Sequence, residues 1–137
     1  MRIQVRDIPY EGLICTEDIL PENLDLQEDE IIHLLSPLHI QAKVERVKQT
    51  VFVHAEVEGK YAFTCDRCLK PYDKVQNNSI ELAFEIQPTT EWIELNEEIR
   101  QEIILVYPVK TICREDCLGL CPVCGTNLNL GKCTCPQ

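Results

Sequence analysis

Six of the nine cysteines of this 137-residue chain lie in the run from residue 113 to residue 137. In the middle of that run, Cys121-Pro-Val-Cys124-Gly has the pattern of a zinc knuckle, in which two thiolates two residues apart bind one ion. Gly125 permits the positive φ that lets backbone amides point at sulfur. This pattern constrains the fold most, because it predicts that a bound metal orders the C-terminal part of the sequence.

A tetrahedral structural zinc takes four ligands, and this part of the chain offers six sulfur atoms. Cys121 and Cys124 are the pair that the spacing favours most. The other two ligands come from the pair upstream, from the pair downstream, or from one residue of each. The downstream pair can return on a turn formed by Asn127, Asn129 and Gly131. The six candidate ligands are Cys113, Cys117, Cys121, Cys124, Cys133 and Cys135.

We expect this zinc to be structural. Few aliphatic residues lie between residues 113 and 137, so burial alone could hardly order them, whereas a structural zinc contributes about 10–16 kcal/mol of apparent binding free energy. Catalytic zinc usually has His or carboxylate ligands, but His33, His39 and His54 all precede this run by a long distance. The sequence also lacks a glycine-rich phosphate loop and a nucleophile elbow, so we expect neither an enzyme nor a small-molecule substrate.

Cys65-Asp-Arg-Cys68 is a second CxxC pair, and three interpretations are open for it. The pair is half of another metal site shared with cysteines of residues 113–137, a redox dithiol, or two partly buried thiols in a turn. Thioredoxin-type dithiols lie at a helix N-terminus in a βαβ unit, whereas this pair follows a strand and precedes Pro71, which argues against redox chemistry. Cys15 is isolated and is expected to be a small apolar side chain.

We expect a cytoplasmic protein that does not contact membranes. The first residues lack the apolar segment of a secretory signal, and the longest apolar run, 103–107, is far too short to span a bilayer. A reducing compartment disfavours disulfides, and an odd number of cysteines fits a fully paired framework poorly. Clustered thiols in this chain therefore point to metal binding.

The net charge is −10, and nine acidic residues but no Lys or Arg lie between residues 7 and 42. Such a surface repels a phosphate backbone, because nonspecific nucleic-acid affinity comes mainly from Lys and Arg. An extended direct contact with RNA is therefore not expected. Two interpretations of the acidic segment stay open, a solvated surface and a docking face for a basic protein.

Alternating apolar and polar residues predict antiparallel strands over much of the first 90 residues. The expected strands are 38–44, 51–57, 61–64 and 80–86, with weaker candidates at 3–8 and 31–35. A turn at 58–60 would make residues 38–64 a meander. Residues 9–30 are expected to form an irregular acidic connection.

After Pro88 the apolar spacing changes to three and four residues, which predicts an amphipathic helix over 91–108. Asn96 is a candidate N-cap, and Pro108 ends the helix. The apolar residues at helical spacing are Trp92, Leu95, Ile99, Ile103 and Val106.

The predicted fold class is therefore α+β. We expect an antiparallel sheet, able to curl toward a barrel, packed by one amphipathic helix and followed by a cysteine-rich zinc-binding tail. The expected organisation is a single domain over 1–137, with a mainly β body at 1–90, the helix at 91–108 and the tail at 109–137.

Four segments form a specific combination: the Cys65-Asp-Arg-Cys68-Leu turn before Pro71, the helix that ends at Pro108, the run from Cys113 through Cys124 to Gly-Thr-Asn-Leu-Asn, and Cys133-x-Cys135. Together these segments resemble the bacterial YceD family. Leu24-Asp-Leu and Leu35-Ser-Pro are also similar to this family, so the resemblance covers nearly the whole chain.

The resemblance implies a non-enzymatic protein of bacteria and plastids that is needed for normal accumulation of the large-subunit (23S) ribosomal RNA. Together with the acidic segment, it leads us to expect a ribosome-biogenesis factor that contacts a basic large-subunit ribosomal protein or a pre-ribosomal particle. Direct RNA contact is left open. Two alternatives remain, a thiol redox protein that uses Cys65 and Cys68, and a zinc-stabilised interaction module unrelated to ribosomes.

Overall fold

The structure is a computed structural model that describes residues 1–26 and 32–135. The chain forms two compact units. The first unit comprises Met1–Tyr61 and Val75–Tyr107, and the second comprises Ala62–Lys74 and Pro108–Gln137. This division differs from the expected sequence of body, helix and tail, because residues 62–74 group with the cysteine-rich segment.

The described residues form mostly β-strands with one α-helix, so the predicted α+β class is confirmed. Short 3-10 turns lie at Val5–Asp7 and Pro21–Leu24. No helix in the described part of the chain is long and apolar enough to cross a membrane. The strands and the helix are β1 (Arg2–Gln4), β2 (Leu13–Ile19), β3 (His33–Leu34), β4 (Leu38–Val47), β5 (Thr50–Thr64), β6 (Pro71–Glu85), β7 (Trp92–Glu94) and α1 (Asn96–Val106).

Five strands share one sheet, in which β5 has a central place. β4 pairs antiparallel with β5 from His39 opposite Glu58 to Val47 opposite Thr50, and β3 and β6 also pair with β5. β2 pairs antiparallel with β4 on the other side. Alternate side chains of β4 and β5 are buried, as predicted, and each buried Val, Leu or Ile side chain contributes about 1.5–3 kcal/mol. These side chains are Leu38, Ile40, Ala42, Val44, Val51, Val53, Ala55 and Val57.

The predicted turn at 58–60 is wrong, because β5 continues through these residues to Thr64. Gly59 lies within the strand for a packing reason. A Cβ atom added there would lie 2.5 Å from Cδ2 of Leu38, a fully buried side chain. The chain reverses earlier, between β4 and β5, where Lys48 has a φ of 56°. The glycine thus marks a close approach of neighbouring strands.

The prediction of an irregular connection over 9–30 is also wrong for the residues that form β2. This strand is an edge strand of the five-stranded sheet, and Ile19 is its one buried residue. An edge strand with so little burial carries a weak period-two signal, which explains why the sequence did not reveal it. Residues 27–30 of that prediction lie outside the described residues.

The weaker strand candidates were placed correctly but are shorter than expected. β1 covers only two residues of 3–8, and a 3-10 turn follows it. β3 covers two residues of 31–35, of which Ile31 lies outside the described residues. The strand expected at 80–86 belongs to the much longer β6, which begins at Pro71; a first strand position tolerates proline.

The helix is shorter than the predicted 91–108, because it begins at Asn96 and ends at Val106. The residues before it form β7, which pairs antiparallel with β1 and buries Ile93 rather than Trp92. Apolar spacing alone could not separate the two elements, since this short strand adjoins the helix. Asn96 is the first helical residue, and its side-chain oxygen accepts a hydrogen bond from the amino group of Met1. Ile99 and Ile103 are buried, as predicted.

Candidate metal centres

The turn between β5 and β6 presents Cys65 and Cys68 on one short loop. The amide of Cys65 donates to the carbonyl of Lys70 at 2.9 Å, and the amide of Leu69 donates to the carbonyl of Cys65 at 2.9 Å. These two bonds close the chain around the CxxC pair. The sulfur atoms of Cys65 and Cys68 are therefore held in a hydrogen-bonded turn at the end of β5.

The turn at Cys121 and Cys124 is built in the same way. The amide of Cys121 donates to the carbonyl of Thr126 at 2.8 Å, and the amide of Gly125 donates to the carbonyl of Cys121 at 3.0 Å. The sequence predicted this knuckle from Gly125. It did not predict that the Cys65 turn has the same hydrogen bonds without a glycine.

The structure brings eight of the nine cysteines into two groups of four. The first cluster is Cys65, Cys68, Cys113 and Cys117. The second cluster is Cys121, Cys124, Cys133 and Cys135. In each cluster all four sulfur atoms lie within 4.8 Å of one another.

The sulfur positions in the first cluster fit a tetrahedral metal. The Sγ atoms of Cys65 and Cys117 are 3.8 Å apart, and those of Cys68 and Cys113 are 3.7 Å apart. A metal–sulfur bond of about 2.3 Å gives tetrahedral sulfurs a separation of roughly 3.8 Å. A disulfide would need about 2.0 Å. The first cluster therefore has the geometry of a metal site. The second cluster could also bind a metal ion, since it too offers four thiols within 4.8 Å of one another.

Hydrogen bonds connect the two chain segments that form the first cluster. The Asp66 amide donates to the Thr111 carbonyl at 2.8 Å, and the Thr111 amide donates to the Asp66 carboxylate at 2.8 Å. The Thr111 hydroxyl donates to the carbonyl of Thr64 at 2.6 Å. Arg67 donates to the carbonyl of Cys117 at 3.0 Å. These contacts hold residues 111–117 beside the Cys65 turn.

Backbone amides also act on the charge of the first cluster. Burial raises the pKa of Cys65, but amide hydrogen bonds from Cys68, Cys113 and Arg67 outweigh burial and lower that pKa to about 6. Burial raises the pKa of Cys113 to about 12. The metal-free cluster thus combines an easily formed thiolate with a thiol that keeps its proton, and a bound cation would displace that proton.

The second cluster also combines thiols whose pKa is lowered with one whose pKa is raised. A hydrogen bond from the Thr126 hydroxyl, with the oxygen 3.0 Å from Sγ, is the main cause that lowers the pKa of Cys124 to about 6. The amides of Cys124 and Val123 lower the pKa of Cys121. The hydrogen bond with Cys124 raises the pKa of Cys135 to about 11. Amides that point at sulfur are what the knuckle pattern predicted.

Asn129 contacts a cysteine of the first cluster, whereas the sequence suggested it only as part of a turn. Its side-chain amide nitrogen donates to Sγ of Cys117 at 3.3 Å, and its side-chain oxygen accepts from the Leu118 amide at 2.8 Å and from Arg114 at 2.9 Å. The hydrogen bond from Asn129 is the main cause that lowers the pKa of Cys117. No local motif marks such a contact, because it joins residues twelve positions apart through the folded loop.

The six tail cysteines do not form one site. Cys113 and Cys117 join the Cys65 pair, which is the grouping that the open interpretation of a shared metal site requires, and the knuckle pair joins Cys133 and Cys135. A ligand set mixing upstream and downstream residues around the knuckle does not occur among the described residues.

Cys15, His39 and His54 lie outside the two cysteine clusters. Cys15 is half-buried in β2, and burial followed by the charge of Glu17 raises its pKa. His39 is exposed and bonds Asp18 at 2.7 Å, and His54 is exposed and bonds Glu56 at 3.1 Å. These histidines are surface residues, as expected.

Comparisons with known proteins identify relatives without a described function. The chain is 35% identical over 106 residues to uncharacterized proteins of Mycobacterium tuberculosis and Mycobacterium bovis, and each match covers 66% of this chain and 51% of the relative. It is 28% identical over 116 residues to an uncharacterized protein of Mycobacterium leprae, covering 72% of this chain and 52% of the relative. The chain therefore spans about half the length of the curated relatives it matches. No protein-family profile and no solved structure matches it.

Proposed function

We propose that the second unit is a structural zinc module that holds two Zn²⁺ ions, one in each cysteine cluster. The observation that carries this proposal is the pair of all-cysteine donor sets, each with its four sulfur atoms within 4.8 Å of one another. In the first cluster the measured sulfur separations are also near those of a tetrahedral zinc site. Zinc has no redox chemistry, and in such a site it acts as a crosslink between chain segments. Four thiolates leave no open position for a substrate.

The composition of the second unit supports a structural role for the metal. Among its described residues, the buried apolar side chains are Phe63 and four cysteines, Cys65, Cys68, Cys117 and Cys121. Tyr72, Ile112 and Leu120 are only partly buried against them. A core made mainly of thiols buries too little hydrocarbon to offset the conformational entropy of ordering the chain. Metal binding would supply the missing free energy.

Metal analysis after anaerobic purification tests this proposal. We expect two zinc ions per chain, and we expect a strong chelator to broaden the NMR signals of residues 62–74 and 108–135 while those of β4 remain. Loss of the whole β signal in circular dichroism on chelation would contradict a role confined to the second unit. Metal-free native protein, with its sulfurs freely alkylated or bridged to one another, would contradict the proposal itself.

We further propose that the protein is a non-enzymatic ribosome-biogenesis factor that supports accumulation of large-subunit ribosomal RNA through contact with a basic ribosomal protein. The resemblance to the YceD family suggests this role, and the charge distribution supports it. The first unit has seven Lys and Arg against nineteen Asp and Glu, a net charge of −12, whereas the second unit has six against four, a net charge of +2. Opposite charge would speed encounter of the first unit with a basic partner.

Binding measurements with purified basic large-subunit proteins and with 23S RNA fragments test the role. We expect binding to the proteins that weakens as salt rises. A Glu11→Gln, Glu22→Gln variant of the first unit should slow association, whereas Glu115→Gln in the second unit should not. Tight RNA binding at physiological salt without any protein binding would contradict the proposal. A pull-down without ribosomal components would favour an interaction module unrelated to ribosomes.

Thiol titration separates the zinc module from a redox protein that uses Cys65 and Cys68. A zinc module protects the thiols of both clusters until a chelator removes the metal, so reactive thiols should increase sharply on chelation. A redox dithiol would instead show two reactive sulfurs with or without the chelator.

A further inference from the structure

The loop between the knuckle and the last two ligands of the second cluster reaches back to the first cluster. This loop, residues 125–132, is bounded by Cys124 on one side and Cys133 on the other. Asn129 lies in it, and its side chain donates to the sulfur of Cys117, a ligand of the first cluster, at 3.3 Å. A hydrogen bond to a ligand sulfur from outside the coordination sphere orients that ligand and stabilises its charged form.

Hydrogen bonds hold the conformation of the loop, and one of them comes from Cys121 of the second cluster. The Cys121 amide donates to the Thr126 carbonyl at 2.8 Å, and the Asn129 amide donates to the side-chain oxygen of Asn127 at 3.0 Å. The Leu128 amide donates to the carbonyl of Gly119 at 2.9 Å. A metal bound by the second cluster would fix both ends of the loop and thereby the position of Asn129.

Both polar atoms of the Asn129 side chain, its oxygen and its nitrogen, form hydrogen bonds. Its oxygen accepts from the Leu118 amide at 2.8 Å and from Arg114 at 2.9 Å, and its nitrogen donates to Asn127 at 3.0 Å as well as to Cys117. Leu118 and Arg114 belong to the segment that carries Cys117. The side chain therefore joins the ligand segment of the first cluster to the loop of the second.

We propose that Asn129 couples metal binding at the two clusters, so that filling the second cluster raises the affinity of the first. This inference rests on the proposed zinc module. Coupling of binding free energies is reciprocal, so filling the first cluster raises the affinity of the second by the same factor. Asn129 is a positioning residue in this scheme, since it acts on the metal through Cys117.

A thermodynamic cycle on the full chain tests the coupling, with cadmium as the probe because cadmium NMR gives a separate resonance for each tetrathiolate site. The variants are Cys133→Ser, Asn129→Asp and their combination. Asn129→Asp keeps an oxygen that can accept from Leu118 and Arg114 but removes the donor to sulfur. Leu130→Ala, an exposed neighbour in the same loop, is the matched control.

Each single variant should lower the cadmium affinity of the first cluster about ten-fold, as changes to hydrogen-bond partners of ligands commonly do. The double variant should lose no more cadmium affinity at the first cluster than either single variant, because both changes remove the same interaction. The Leu130→Ala control should leave both affinities unchanged. Circular dichroism of each variant should show that the sheet of the first unit is retained.

Two results would overturn the coupling. The first is an unchanged cadmium affinity of the first cluster in Cys133→Ser. The second is a double variant whose fold-loss of first-cluster affinity equals the product of the fold-losses in the two single variants. Both results leave two ions bound to the wild-type chain, so the zinc module would stand while the coupling fails. Fewer than two ions bound to the wild-type chain would overturn the module and the coupling together.

Discussion

Leu69 and Gly125 occupy the same position in two cysteine turns, four residues after the first cysteine, and share a left-handed backbone conformation. Leu69 has a φ of 59°, and Gly125 has a φ of 74°. In both turns this conformation lets the residue donate its amide to the carbonyl of the first cysteine. Glycine adopts it without steric cost, whereas leucine does not. The two clusters therefore differ in backbone strain although their hydrogen bonds match.

Substitutions at these two positions should have opposite effects. Gly125→Ala should destabilise the metal-bound second cluster by about 1 kcal/mol, because a Cβ there meets nothing within 4 Å and only the φ cost remains. Leu69→Gly should stabilise the first cluster, because it removes a similar cost of the left-handed conformation. The gain is partly offset because glycine makes the unfolded chain more flexible. Chelator titration of the zinc-bound protein measures both effects. Gly131→Ala is the control, since that glycine has no positive φ and an added Cβ has open space.

Loss of one ligand from either cluster should remove one metal ion. Cys68→Ser and Cys124→Ser should each reduce the zinc content from two ions to one at saturating metal, because three thiolates bind zinc much more weakly than four. Cys15→Ser, outside both clusters, should leave the content at two. Metal analysis by mass spectrometry of the intact protein gives the stoichiometry. A variant that lost one cysteine and kept both ions would show that this cysteine is not a required ligand.

Zinc retention should depend on pH in a defined direction. The pKa values of Cys65 and Cys124 are lowered to about 6, so these sulfurs are thiolates above that pH and take up protons below it. Protons compete with the metal for the sulfurs, so the stabilisation that the metal provides falls as the pH falls, and it falls more steeply below about 6, where Cys65 and Cys124 also take up protons. Zinc release to a colorimetric chelator, followed as a function of pH, measures the midpoint.

Thr126→Val should move the release midpoint of the second cluster to higher pH. The hydroxyl of Thr126 is the main cause of the lowered pKa of Cys124, so its removal raises the affinity of that sulfur for protons. Thr134→Val, at an exposed threonine of the same unit, is the control. An unchanged midpoint in Thr126→Val would mean that this hydroxyl does not stabilise the ligand.

The sequence predicted the parts of the molecule that depend on local pattern. The alternation in β4, the knuckle at Cys121 and the buried Ile99 and Ile103 follow from spacing of a few residues. The partition of cysteines into two clusters could not be predicted, because Cys68 and Cys113 are 45 positions apart and meet only through the fold. The contact of Asn129 with the sulfur of Cys117 could not be predicted for the same reason, since it too forms only in the folded chain.

At Gly59 the local sequence pattern gave a wrong prediction. A glycine after an acidic residue indicates a turn, but this glycine lies inside β5. Gly59→Ala should destabilise the first unit by about 1–3 kcal/mol, because its Cβ would lie 2.5 Å from Cδ2 of the fully buried Leu38. Glu58→Ala, an exposed change in the same strand, should cost much less. Urea unfolding monitored by circular dichroism measures both values.

The double variant Gly59→Ala, Leu38→Val gives the sharper test of that contact. Leu38→Val alone should be destabilising because it leaves a cavity, but in the Gly59→Ala background it makes room for the new methyl group. The double variant should therefore lose less free energy of unfolding than the sum of the two single losses. Simple additivity would mean that Gly59 and Leu38 do not meet, and the continuous course of β5 past β4 would then be in question.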